Sequence, residues 1–311
     1  MSVIFSTRAS SILYDFIKTY NRGGYLIPAN VCPIIPITFC TAGIPFTFVD
    51  INEESYCIEE NTCLQLFANN PKKFAGLLFV RTYGYAYDTQ PFFQKIKSID
   101  DELKIIDDRC LCIPDINKHN NSDLILYSTG YAKPVDFGFG GIGIVNNKLN
   151  IIKHNAPVYM NFDIESFYKN ALDKNILLTE MPDGWLDHST YTGDPNLYIR
   201  QIEIEKTKIL HHKNLLNKIY NHLLPDDIKL SVGFHDWRFN ILVKNKKKIL
   251  SKIFENKFYA SSHFKPSNVL FDKKKFPVSE KLYANIINLF NDYNFSSDQA
   301  EQVAKIIKNN L

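Results

Sequence analysis

Through its first 145 residues the chain repeats one pattern: a short run of apolar residues, a turn, then a stretch with apolar groups at helical spacing. The runs are Tyr25–Ile27, Phe46–Val49, Gly76–Val80, Lys104–Asp107, Asp123–Tyr127 and Gly141–Val145, and the helical stretches fall at 9–20, near 60–69 and near 90–99. A strand with one solvated face alternates apolar and polar residues, whereas these runs are mostly apolar rather than alternating, so both of their faces are expected to be covered. Apolar strands separated by helices predict a largely parallel sheet flanked by helices, an α/β domain.

The pattern changes near Tyr198, where a long charged amphipathic helix runs to Leu224 and Pro225 ends it. Residues Trp237–Val243 then alternate like a half-buried strand, and helices are expected near 246–256, 278–290 and 297–309. We therefore expect a large α/β domain over residues 1–197 and a smaller C-terminal α+β domain over 198–311. A chain of 311 residues with 45% hydrophobic side chains can bury such cores without staples.

No charged residue occurs from Gly23 to Val49, a length that would cross a bilayer. Pro28, Pro33, Pro36 and Pro45 break it and Asn30, Thr38, Thr41 and Thr47 interrupt it, so we read it as strand, turn, short helix and strand, all buried. Arg8 and Asp15 lie in the first helical pattern, where a secretion signal would be apolar, and a cytoplasmic protein is the expectation. The net charge of +3 gives no electrostatic reason to bind nucleic acid or an anionic membrane. Six cysteines without paired CxxC motifs or matching histidine spacing predict reduced thiols and no metal site.

Parallel sheets hold ligands at the carboxyl ends of their strands. There the sequence places Asp107 and Asp108, then Ser128, then Lys133 in a loop rich in glycine up to Gly141. Near the start, Ser6–Ser11 runs into a helix, and N–H groups at a helix N-terminus beside hydroxyls and Arg8 suit a phosphate. Phosphate, acid and lysine together suggest pyridoxal phosphate. Lys133 is the candidate for the Schiff base and the proton shuttle, and Asp108 the candidate partner of the pyridine nitrogen. Spacing alone leaves a second reading open, with Lys133 a surface loop lysine and Asp107-Asp108 a strand-end turn.

Five segments in order, Tyr25–Pro33, Gly43–Ile51, Val80–Gly84, Ile105–Asp108 and Ser128–Gly141, resemble the DegT/DnrJ/StrS family of sugar aminotransferases. Ala260–Pro266, Phe276–Glu280 and the final helical pattern from Phe295 to Ile306 extend the resemblance over nearly the whole chain. It implies the pyridoxal-phosphate-dependent transferase fold of aspartate aminotransferase, a homodimer with active sites at the interface, and amino transfer from glutamate to a nucleotide-linked keto-sugar. By the same resemblance Lys133 is the Schiff-base lysine, Asp108 binds the ring nitrogen, and Ser128, Thr7, Arg8 and Ala9 hold the phosphate. Val31 and Cys32 fall beside the ring, and Tyr83, His188 and His263 are substrate-side candidates.

The chain departs from the family pattern at four places. Leu111 stands where a glutamine is frequent, Cys32 where an aromatic often stacks, Thr7 where a glycine turns, and Gly130 where a histidine is common. The family's Gly-Tyr-Asn-x-Arg segment has no copy between Gly184 and Arg200, where Trp185, His188 and Asn196 are the candidates to replace it. The chain also starts only a few residues before its phosphate turn, which the resemblance reads as a member without the usual N-terminal arm. Two alternatives remain: a sugar dehydratase of the same fold, in which a histidine takes the lysine's place, and a catalytically silent homologue that binds a nucleotide sugar or partners a biosynthetic enzyme.

Overall fold

The structure, a computed structural model, describes residues 2–311. Its larger sheet has seven strands in the order β1-β7-β6-β5-β4-β2-β3, with β1 at Ser2–Ser6, β2 at Gly24–Pro28, β3 at Phe46–Val49, β4 at Phe74–Val80, β5 at Lys104–Asp108, β6 at Leu124–Ser128 and β7 at Gly141–Val145. Strands β2 to β6 pair in parallel, while β7 runs antiparallel to both β6 and β1.

Consecutive residues of these strands serve opposite faces. Tyr25 and Ile27 pack on one side with helices α1 (Ala9–Thr19) and α2 (Ile34–Ala42). Leu26 packs on the other, with Leu77, Phe79 and helices α3 (Glu60–Asn69) and α4 (Gln90–Ile99). Burying both faces is why successive residues in the middle of these strands are apolar, and each fully buried large side chain contributes about 1.5–3 kcal/mol. The uncharged stretch from residue 23 to 49 is β2, α2 and β3, nearly all buried or half-buried. Among the described residues, no helix is long and apolar enough to cross a membrane.

A second, antiparallel sheet has the order β8-β10-β9, from Phe239–Leu242, Ile286–Leu289 and Ala260–Ser261. Helices α7 (Lys246–Glu255) and α9 (Ser297–Lys308) pack on it. Helix α6 (Pro195–Leu223) crosses the expected boundary at residue 198: Tyr198 and Ile202 pack on the large sheet, whereas Leu216 and Tyr220 belong to the second core.

The helix expected over 278–290 is corrected. Helix α8 spans Pro277–Asn285, and the next four residues form β10, the central strand of its sheet. Apolar Ile286, Ile287 and Leu289 fit either period over so short a run; pairing decides, with Asn288 opposite Asn240 and its Nδ2 donating to Asn240 Oδ1 at 2.6 Å. The strands β1 and β9 and helix α5 (Ile164–Lys174) went unread in the sequence.

Candidate active site

The strand ends of the large sheet converge on a cavity of about 330 Å³, near the lower end of the range (about 300–1,000 Å³) seen for small-molecule sites. Asp108 at the end of β5 and Ser128 at the end of β6 line it. So do Arg8, Ala9 and Ser10 at the start of α1, Val31 and Cys32 after β2, and Lys133.

Local geometry explains why these distant segments meet. Ser128 pairs with Gly141 across the antiparallel β6-β7 ladder, so the loop carrying Lys133 leaves and returns at the same rim. The Gly140 N–H donates to the Thr7 carbonyl at 2.7 Å. A Cβ on Gly141 would lie 2.4 Å from the Ala9 nitrogen, so only glycine lets β7 pass this close to α1. The first N–H groups of a helix have no partner within it, and Arg8, at the N-cap, offers no side-chain cap. Its guanidinium donates instead to the Gly138 carbonyl at 3.1 Å. Ser128 Oγ accepts from the Gly130 N–H at 3.2 Å, which holds the start of the loop.

The two aspartates of β5 have opposite surroundings. Although burial pushes Asp107 up, Arg81 and Arg109 hold it below the usual carboxylate range. Arg81 Nε lies 2.9 Å from Oδ1, Arg109 Nε lies 2.9 Å from Oδ2, and Asn120 Nδ2 donates to Oδ2 at 2.7 Å. Asp108 is raised by burial, against hydrogen bonds from Cys110 and the charge of Lys133. Its one backbone donor is the Cys110 N–H, 2.9 Å from Oδ1. A buried carboxylate on a cavity wall with so little compensation suits a cationic ligand group.

His263 lines the same cavity. Burial, and after it the charges of Arg238, Lys169 and Lys133, pushes it down to about 3, so it is neutral in neutral solution. Three expected site residues are not brought to the cavity. Thr7 Oγ1 donates to the Asp187 carbonyl at 3.2 Å and the Ser189 carbonyl at 3.3 Å. Tyr83 is buried and its hydroxyl donates to the His263 carbonyl at 2.5 Å, so it supports the His263 segment. His188 turns to α1, with Nε2 3.0 Å from Asp15 Oδ2 and its ring 5.3 Å from that of Tyr14. Trp185, a candidate for the missing segment, sits in the large core and donates from Nε1 to Thr41 Oγ1 at 3.1 Å. His212 on α6 lies 3.0 Å through Nε2 from the carbonyls of Asp292 and Phe295.

Sequence reading missed Glu165 and Tyr168 of α5, and Tyr131, Trp237 and Phe264, all of which line the cavity. Helix α5 did carry a signal: Asp163 accepts from the Ser166 N–H at 3.0 Å, a side-chain N-cap legible as an Asp just before apolar residues at helical spacing.

The cavity thus offers a buried carboxylate, a primary amine and a helix N-terminus at the carboxyl edge of a parallel sheet, the ingredients of a site for a small ring with an anionic tail. Leu111 also lines it and adds no polar contact.

No protein-family model and no curated protein sequence matches the chain. Solved structures do. A DegT DnrJ EryC1 StrS aminotransferase from Brucella abortus superposes with a TM-score of 0.72 at 16% identity, over 99% of this chain and 86% of that one. PseC from Helicobacter pylori, an aminotransferase of pseudoaminic acid biosynthesis, gives 0.73 at 14%, over 99% and 86%. The sugar aminotransferase CalS13 from Micromonospora echinospora gives 0.70 at 13%, over 99% and 87%. The chain therefore has an α/β transferase fold with its cavity at the strand ends. More narrowly, it is the fold of the DegT/DnrJ/EryC1/StrS aminotransferases, as the sequence motifs imply.

Proposed function

We propose that this protein is a pyridoxal-phosphate-dependent aminotransferase that moves an amino group from glutamate to a nucleotide-linked keto-sugar, a cytoplasmic step in making a surface polysaccharide. The observation that carries this reading is the meeting of Lys133, Asp108 and the start of α1 on one cavity. Its likeness in fold to sugar aminotransferases supports it.

Pyridoxal phosphate, when bound, supplies an aldehyde that bonds to amines and a ring that accepts an electron pair. Lys133 Nζ would be the amine that holds it and, as a free amine, would move the proton at the donor's α-carbon. Asp108, a buried carboxyl on the cavity wall, would hold the protonated ring nitrogen by charge pairing. Arg8 and Ala9 at the helix start and the Ser128 hydroxyl would hold the phosphate. Tyr168, Trp237 and Phe264 add aromatic surface to the cavity wall. We take the working unit to be a homodimer. Tyr131, Val158 and Met160 leave 74%, 80% and 67% of their surface exposed, apolar surface that a second copy would cover.

A second reading, a catalytically silent homologue that binds a nucleotide sugar, draws on Leu111 and Cys32, which give the ring neither a hydrogen bond nor an aromatic platform. The test is the visible spectrum of purified protein with added pyridoxal phosphate, followed by borohydride reduction and mapping of the label. A new band, reduction onto Lys133, and loss of the band with release of 2-oxoglutarate on adding glutamate are expected. No band, or label on another lysine, overturns the enzyme. Nucleotide-sugar binding without a band selects the silent homologue.

A further inference from the structure

We propose that Trp237 is a positioning residue for Lys133, holding the peptide group from which the lysine projects; the proposal rests on the reading of Lys133 as the reactive amine. The Trp237 indole N–H donates to the Ala132 carbonyl at 2.7 Å, a bond between residues 105 apart in sequence. That carbonyl belongs to the peptide bond immediately preceding Lys133.

Ala132 needs holding. Its φ of +58° lies in the left-handed region that residues with a Cβ rarely occupy. Its N–H donates to Asp136 Oδ2 at 2.7 Å, a bond within the same loop. The indole bond ties this peptide to the part of the chain that builds the second sheet, since Trp237 stands just before β8.

Trp237 is itself fixed. It is 5% exposed, and its ring lies parallel to that of Tyr83 at 6.2 Å and 7°. The Arg238 guanidinium sits 4.5 Å over it. Its carbonyl accepts from Lys213 Nζ at 2.8 Å, and Lys213 also donates to Asn291 Oδ1 at 2.7 Å. The chain Asn291, Lys213, Trp237, Ala132 thus runs from the second core to the reactive loop. A phenylalanine would keep the packing, whereas only the indole supplies the donor.

The test compares wild type with Trp237→Phe, both without cofactor. Amide hydrogen exchange is followed over residues 130–136, and the rate of trace acylation of Lys133 is read by mass spectrometry against exposed Lys273. Losing one such hydrogen bond is expected to speed exchange in the loop by about tenfold, with acylation of Lys133 rising several-fold. Unchanged exchange, or faster exchange with unchanged acylation, overturns the positioning role. Should Trp237→Phe fail to fold, incorporation of benzothienylalanine, which replaces N–H by sulfur in the same shape, gives the same two readouts. Neither depends on added pyridoxal phosphate, so a wild type without a visible band counts against the proposed function alone.

Discussion

Asp107 and Asp108 differ by one place in the chain and by everything in their surroundings. Asp107 neutralises one of two buried arginines, while Asp108 faces the cavity. Their amides should therefore fail differently. Asp107→Asn leaves Arg81 and Arg109 without a counter-charge and should cost about 3–5 kcal/mol in urea unfolding. Asp108→Asn should leave the midpoint nearly unchanged and, with pyridoxal phosphate and glutamate, lower kcat by about a hundredfold or more. His235 provides a pH test away from the cavity. Burial lowers it to about 4 from 6.5, and its Nδ1 accepts from the Asn240 N–H at 3.2 Å. Because the folded value is the lower one, its stabilising contribution is complete above pH 6.5 and drains away as pH falls toward 4. Between about pH 6.5 and 5 wild type should lose roughly 2 kcal/mol more than His235→Asn, which keeps an acceptor and cannot titrate. Equal losses in urea titrations at the two pH values would refute this.

At the scale of elements, Gly141 joins β7 to the start of α1, since its missing Cβ is what admits the Ala9 nitrogen. Gly141→Ala should force the two apart, cost about 1–3 kcal/mol in unfolding and weaken phosphate binding, measured as the affinity for pyridoxal phosphate. The central strands and helices α1 to α4 were legible in the sequence because local pattern and burial agree there, apolar on both faces of a strand and periodic on a helix. Lys133 and Asp108 were legible because strand ends mark where a parallel sheet binds. Other features depend on partners far along the chain. Strand β1 exists by pairing with β7, and β10 by pairing with Asn240. Helix α5 has apolar residues at helical spacing, Ile164, Phe167, Tyr168, Ala171 and Leu172, a signal that went unread although only Ala171 of them is buried. Trp237, Tyr168 and Phe264 reach the cavity by packing, and His188 leaves it for the carboxylate of Asp15.

At the scale of the molecule, one helix belongs to both cores. Tyr198 in the first turn of α6 shares a 2.5 Å hydrogen bond with Thr129, next to Ser128, while Tyr220 near its end donates to the Phe290 carbonyl at 2.8 Å. Neither core can lose its packing without uncovering part of α6, so unfolding should be cooperative across both sheets. The chain has two tryptophans, Trp185 in the large core and Trp237 before β8. Fluorescence of Trp185→Phe and Trp237→Phe variants should report transitions that each coincide with their own far-UV signal; a core melting ahead of the helix signal would show that the sheets unfold apart. The same helix also has a mechanical meaning. Its 29 residues form a rod of about 44 Å, so a tilt of about 5° carries its far end through about 4 Å. With the Tyr198–Thr129 bond as the fulcrum, such a tilt would carry the second sheet relative to the strand end that bears Ser128 while that bond stays in place.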